Sequence, residues 1–350
     1  MTDGLLSLLR RPAPRLRWGG EILMGLAIVA ASVVVAGGLY YWPGLPDLLK
    51  KPLGLAAFPV LLTLWFWPGG SQRRRQFGVL AVLLVFFVAY YSKEPVDRDW
   101  VPLHERKVYA DVRGNEVTFH NFRDAIHYVN DPVDVRWTRE TFSLDELEGA
   151  QFIVQPFGDT PFTVHIFMSF RFSDGRRIAV SVEARRVDWN NFDPVAGFFR
   201  HFQSYLVVGT ERDLVWKRLA RDEPYKMYFY DVTEDDAVIR RLFEGLIDYA
   251  NSLAARPQYY STLEESCFTG LVKLSPEISS EIDWWDIRRW IPGYAVHVLQ
   301  GAGAVDDTLP AEALRERSRL RSGIRPPWEF ETDEAWSTHI RGGPASGEGG

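Results

Sequence analysis

Three side chains of this sequence have the types for thiol chemistry: His165, Glu183 and Cys267. Cys267 is the only cysteine in 350 residues, so it has no partner within its own chain. In an oxidising compartment an idle thiol is a liability, and a retained one needs a reason. The functional reason is a nucleophile. The structural alternative is a small buried hydrophobe, since free cysteine is among the most buried residue types. A nucleophilic thiol needs a base for its proton and a group that orients the base. It also gains from a helix N-terminus, where N–H groups and the macrodipole favour the thiolate. Ser266 is an acceptable N-cap for a helix that begins at Cys267. It is preferred here to the rival capping-box match of Ser261 with Glu264.

His165 lies in FTVHIFMSFRF, one arm of the clearest β-hairpin in the chain, and the other arm, RRIAVSVEARR, carries Glu183. Ser173-Asp174-Gly175 reads as a three-residue loop with Gly175 left-handed, which pairs Phe172 with Arg176. His165 then stands opposite Glu183 on one face of the sheet. A two-residue Asp-Gly turn would put the two on opposite faces. The structural alternatives are a core histidine satisfied by a backbone carbonyl and an ion pair of Glu183 with Arg185 or Arg171. Arg123, Ser266 and Tyr260 are candidate substrate-binding residues. Arg123 and Arg212 could each hold a carboxylate or phosphate, or brace a buried acid; the bracing role is preferred for Arg212. Trp189, Phe192, Phe198, Phe199 and Phe202 are candidates for an acyl groove, with core packing as the alternative. No cofactor or metal is expected, because His120, His127 and Asp124 lack a ligand spacing and a second cysteine is missing. A serine hydrolase is disfavoured by the lack of G-x-S-x-G.

The elements that must hold these residues divide by charge and hydropathy. Residues 1–93 carry ten Lys/Arg against three Asp/Glu, and the remainder thirty against forty-three. The acidic remainder argues against nucleic acid as a partner. Apolar runs at 21–42, 53–67 and 77–91 predict three membrane spans. The second is interrupted by Pro59, and both shorter runs need flanking residues or a thinned bilayer to cross. The first is too long for a signal peptide. Arg10, Arg11, Arg15 and Arg17 precede the first span, and Arg73, Arg74 and Arg75 sit between the second and third. The positive-inside rule places both groups in the cytoplasm and everything after about residue 93 outside. Trp42, Trp65, Trp67, Tyr90 and Tyr91 fall where an interfacial aromatic belt belongs.

The expected fold class is α+β, with transmembrane helices followed by an antiparallel sheet and packed helices. Residues 1–93 form the anchor, 94–322 the exported domain and 323–350 a disordered Pro/Gly-rich tail. Within the exported part, Arg113-Gly114-Asn115 marks a hairpin, and 238–256 and 310–321 read as helices.

The exported part also resembles a bacterial family named for the Lnb N-terminal periplasmic domain. The resemblance rests on HNFRDAIHY, VHIFMSFRFSDGRRIAVSVEARR, VGTERDLVWKR, YYSTLEESCFTGL, IPGY and RSRLRSGIR in that order, over about residues 100–322. It implies a circularly permuted papain-like (NlpC-type) fold in which the histidine strand precedes the cysteine helix. It implies Cys267 as nucleophile, His165 as base and Glu183 as the orienting residue. It further implies fatty-acyl transfer through a thioester; the sequence does not give the donor or the acceptor, and membrane lipid and a lipoprotein at the inner membrane are the partners considered. The family pattern has Asn before the cysteine, where this sequence has Ser266. A peptidase or amidase acting on cell-wall peptides and a non-catalytic membrane-anchored binding module are the rival functions.

Overall fold

The computed structural model describes residues 14–42, 44–129, 133–157, 164–187, 192–262, 266–283 and 285–342. It divides into two compact units, one of residues 1–94 with 193–201, the other of 95–192 with 202–350.

Among the described residues the long helices of the first unit are α1 (Pro14–Tyr40), α2 (Asp47–Phe66) and α3 (Gln72–Ser92). Each is long and apolar enough to cross a membrane. The two short apolar runs reach that length because helix continues through their polar flanks, Lys50 and Lys51 in α2 and Arg73 to Arg75 in α3. Pro52 and Pro59 lie inside α2 without ending it. Ile28, Val35, Leu61, Trp65, Val79 and Leu83 form the seam between the helices. Trp65, expected in the aromatic belt, is buried in that seam.

The second unit is built on one sheet. Its strands are β1 (Tyr109–Arg113), β2 (Glu116–Arg123), β3 (Trp137–Ser143), β4 (Leu147–Pro156), β5 (Val164–Phe172), β6 (Arg177–Arg185), β7 (Gln203–Gly209) and β8 (Tyr228–Asp231). They lie in the order β1-β2-β7-β6-β5-β4-β8, with β3 also on β2. Among the described residues the strands pair antiparallel except β2 with β7, which meet in parallel at Arg123 and Gly209. The approach there is close: a Cβ on Gly209 would lie 2.3 Å from the Arg123 carbonyl oxygen.

Alternation along the strands sorts the core into two layers. Ile166, Met168 and Phe170 of β5, and Ile178, Val180 and Val182 of β6, belong to the first. Phe167 and Ala179, one step out of phase, belong to the second. The first face is covered by α7 (Asp236–Ala255) and α8 (Cys267–Lys273). Helix α7 buries Ile239, Leu242, Phe243, Leu246, Ile247, Ala250 and Leu253, the i, i+3, i+4 stripe that its sequence prescribes. Each of the larger side chains contributes about 1.5–3 kcal/mol by burial. Three short helices cover the second face, α5 (Glu211–Leu214), α6 (Trp216–Leu219) and the later α12 (Asp333–Ile340). Between these run α4 (Pro194–Gly197) of the first unit, then α9 (Pro276–Ser280), α10 (Ala295–Gly301) and α11 (Ala311–Arg317).

The expectation of a disordered tail from residue 323 fails for 324–342. There α12 is capped by Thr332 and buries Trp336 and Ile340 against Leu214 and Trp216. An aromatic and an aliphatic residue four apart supply an apolar stripe that the surrounding Pro and Gly obscured. The final PASGEGG lies outside the described residues.

Candidate active site

The β5–β6 turn is the three-residue loop expected. Gly175 is left-handed at φ +88°. The N–H of Phe172 donates to the Arg176 carbonyl at 3.0 Å, and Asp174 accepts from the Arg176 N–H at 2.9 Å. The register pairs Met168 with Val180 and Arg171 with Arg177, the constant-sum pairing that puts His165 and Glu183 on one face. The link between them is indirect. His165 Nε2 lies 2.8 Å from Ser181 Oγ, and Ser181 Oγ donates to Glu183 Oε1 at 3.2 Å. With the serine proton on Glu183, Nε2 carries the imidazole proton and Nδ1 keeps its lone pair.

Glu183 is the centre of a buried charge cluster. Arg218 lies 3.5 Å and Lys217 3.7 Å from its carboxylate, and His104 Nε2 3.4 Å. These partners overcome burial and hold the Glu183 carboxyl well below the usual carboxylate range. Arg218 also donates to Gln155 Oε1 at 2.7 Å and to the Leu214 carbonyl, and its guanidinium lies 4.2 Å over the Phe167 ring. His104 accepts the Arg186 N–H on Nδ1 at 3.0 Å, which leaves Nε2–H facing Glu183. Burial, then the Arg218 charge, pushes the His165 imidazole down to about 3. The sequence alternatives for Glu183 do not arise: Arg171 pairs with Glu148, and Arg185 donates to Gln203 and to the His104 and Glu105 carbonyls.

Cys267 is the first residue of α8, and Ser266 is its N-cap. Ser266 Oγ accepts from the Thr269 N–H at 3.2 Å, and Thr269 Oγ1 accepts from the Ser266 N–H at 2.9 Å, a reciprocal capping box. The β5–β6 ladder ends at Met168–Val180 although both strands continue. Cys267 presses against β5 beyond that point. Its Sγ approaches the Val164 carbonyl at 3.9 Å, and the N–H groups of Ile166, Phe268 and Cys267 itself bear on it. Burial outweighs these donors and pushes the thiol up to about 11. Tyr260 is buried nearby, its phenol raised first by burial and then by the thiol, with the Cys267 N–H pulling the other way.

The sheet therefore brings His165, Ser181 and Glu183 together and sets Cys267 apart from them. The thiol belongs to the first layer with Ile166 and Val182. His165 stacks on Phe167 of the second layer at 5.9 Å. The strand carrying the imidazole runs between it and the sulfur. At rest both groups are neutral, a thiol and an imidazole rather than a thiolate–imidazolium pair. Iodoacetamide should consequently alkylate native Cys267 at a rate rising about tenfold per pH unit to beyond pH ~9. A rate that levels off below pH ~8 would contradict the neutral thiol.

The candidate substrate ligands fare differently. Arg123 is fully buried and forks onto Asp213 at 2.6 and 3.1 Å, with Nη1 donating to the Leu103 carbonyl at 2.9 Å. Its guanidinium is committed to a protein carboxylate. Arg212 braces Asp124 and Asp333, the structural role expected of it. Ser266 and Tyr260 stay beside the sulfur. Phe192 packs on Phe202 at 5.5 Å and on Tyr260 at 5.6 Å, whereas Phe199 lies on Tyr41 of the first unit. Trp189 lies outside the described residues. Sequence reasoning missed Ser181, Lys217, Arg218 and His104. Ser181 was within reach, two residues before Glu183 and hence on its face; the other three come from distant segments that no local pattern ties to β6.

Residues 134–299 match the family model of the Lnb N-terminal periplasmic domain. The matched stretch contains His165, Ser181, Glu183, Lys217, Arg218, Tyr260, Ser266 and Cys267, and leaves out Arg123. Searches of curated proteins and of solved structures returned no match to the chain.

Proposed function

We propose, from the premise that residues 134–299 are an Lnb N-terminal periplasmic domain, that this protein transfers an acyl group through a thioester on Cys267. It does so as a multi-pass protein of the bacterial inner membrane, with the sheet unit outside. The observation that carries the reading is the placement of the only thiol at the first position of a capped helix, against the opening between two strands. A relay of imidazole, hydroxyl and carboxylate lies across one of those strands.

In this reading His165 Nδ1, left as the acceptor by the bond of Nε2 to Ser181, takes the thiol proton by way of water admitted to the β5–β6 opening. The sulfur attacks the carbonyl carbon of a lipid ester. The Cys267 and Phe268 N–H groups stabilise the oxyanion. The C–O bond breaks, and the alcohol leaves with the proton from the imidazolium, whose charge Glu183 stabilises through Ser181. An amine, such as a lipoprotein N-terminus, then attacks the thioester carbonyl and gives its proton to His165; the C–S bond breaks, the amide departs, and the proton returns to the sulfur to restore the resting thiol. Three spans tether the domain to the membrane and so raise the effective concentration of an interfacial substrate.

A binding module is the second reading. It is favoured by the separation of sulfur and imidazole on opposite faces of β5. Intact-mass analysis of the protein purified from membranes decides between them. Acyl transfer predicts a fatty-acyl adduct that neutral hydroxylamine removes and that Cys267→Ala lacks. An adduct retained in Cys267→Ala would refute the nucleophile. Topology has its own check: a reporter fused after residue 95 should be active only if exported, and cytoplasmic activity would sink the assignment of sides.

A further inference from the structure

Residues 193–201 belong by their packing to the helical unit, although their neighbours in sequence on both sides belong to the sheet unit. Asp193 starts the segment by capping α4, accepting the Val195 and Ala196 N–H groups at 2.8 and 3.2 Å. Phe199 then lies flat on Tyr41, with ring centroids 5.6 Å apart and planes at 7°. It fills the space over Gly37, where a Cβ would come within 2.2 Å of the ring. Arg200 adopts the left-handed conformation, φ 51°, uncommon for a residue with a long side chain. That turn delivers its guanidinium to the Tyr90 and Lys93 carbonyls at 3.0 and 3.3 Å, where it caps the C-terminus of α3. It also lies over the Tyr90 and Tyr91 rings, at 5.6 and 5.2 Å. His201 donates from Nδ1 to the Tyr41 carbonyl at 2.9 Å, just beyond the end of α1. The segment thus clamps together the ends of α1 and α3 that the charge pattern turns outward.

Above that clamp two apolar side chains stay uncovered, Val195 at 52% and Phe198 at 47% exposure. Phe198 directly precedes Phe199, which stacks on Tyr41 beside the Trp42–Tyr90 pair, aromatic residues at the helix ends where a membrane span meets the headgroups. We propose that Asp193–His201 is an interfacial element seated in the outer lipid leaflet, with Val195 and Phe198 inserted among the acyl chains. The occupant is lipid because the segment is continuous with the surface of the three spans. This rests on the reading of those helices as membrane spans. The element gives the exported domain a second covalent tether besides the linker after α3. Phe192 and Phe202, which bound it, are the residues that pack with each other and with Tyr260 beside Cys267.

Site-directed spin labelling of the full chain tests this without reference to catalysis. With Cys267 replaced by Ala, nitroxides are placed through Val195→Cys and Phe198→Cys, and the protein is reconstituted in phosphatidylethanolamine–phosphatidylglycerol vesicles. Leu84→Cys on exposed α3 and Val112→Cys on exposed β1 serve as references. Collision with oxygen should exceed collision with a water-soluble nickel chelate at 195 and 198, as at 84, and the reverse should hold at 112. Nickel-dominated collision at both 195 and 198, with the lipid signature kept at 84, overturns the interfacial element and leaves the anchor standing. A nickel-dominated signal at 84 overturns the anchor and the element with it.

Discussion

Cys267→Ser is expected to remove the acyl adduct and to lower acyl transfer by on the order of 10³-fold or more, with the fold intact. The chemical half of the expectation comes from acidity. The site already pushes the thiol up to about 11 and the His165 imidazole down to about 3, so proton transfer from sulfur is uphill at rest. A hydroxyl in place of the thiol adds several more pKa units to that climb, and each unit is worth about 1.4 kcal/mol. Sulfur survives the handicap because it is intrinsically nucleophilic even at a small thiolate fraction; oxygen does not. The structural half comes from the cap. Ser266 and Thr269 hold the start of α8 without help from residue 267. A serine hydroxyl on its shorter bond does not reach the Val164 carbonyl, which the thiol approaches only at 3.9 Å, so the substitution should cost about 1–3 kcal/mol of stability. Transfer assays with labelled phospholipid, read beside thermal unfolding of the same preparation, separate the two halves. Transfer retained within tenfold would remove Cys267 from the mechanism, and a collapsed melting transition would void the cap argument.

The parts of this fold that the sequence made legible are those decided within a few residues. The Ser-Asp-Gly loop needs one left-handed residue, and Gly175 supplies it, so the β5–β6 register followed. Ser266 as N-cap and the stripe of α7 are equally local. Three membrane-length helices were visible as apolar runs, but their ends were not, because Lys and Arg continue a helix that their charge seemed to stop. The relation of Cys267 to His165 is a long-range matter. The alternation of β5 held part of the answer: Val164, Ile166 and Met168 are one apolar set, while His165 and Ser169 are polar and out of phase. A helix reading CFTGLVK has to cover the apolar set, which places its thiol opposite the histidine. Arg123 and the cations around Glu183 were beyond reach for a different reason. Asp213, the partner of Arg123, lies on α5, and Lys217 and Arg218 reach Glu183 from α6; nothing in an arginine's neighbourhood reveals which carboxylate it will meet.

Asp213→Ala should be the most damaging single change in the sheet unit, costing about 3–5 kcal/mol and lowering its melting temperature by roughly 10 °C or more. Asp213 is fully buried at the end of α5 and serves three partners: the Arg123 fork, the Ala125 N–H at 3.1 Å and His127 Nε2 at 2.8 Å. Their charges and donors hold its carboxyl far below the usual range despite burial. The stability linked to that depression is present above the ordinary carboxylate pKa and is lost as pH falls through the depressed value. Removing the carboxylate at neutral pH leaves the Arg123 charge buried without compensation, which costs more than the pair itself is worth. The damage should spread, because Arg123 stands where β2 meets β7 in parallel and its carbonyl accepts the Thr210 N–H at 3.1 Å. Strand β7 in turn sets β6 through pairs that include Glu183 with Tyr205. The double replacement Arg123→Met with Asp213→Leu removes both charges together, and thermal unfolding should show it recovering most of the loss. If Asp213→Ala melts within about 1 kcal/mol of the parent, the ion pair is not what pins the β2–β7 junction. The guanidinium would then be free to serve as the substrate ligand that its sequence first suggested.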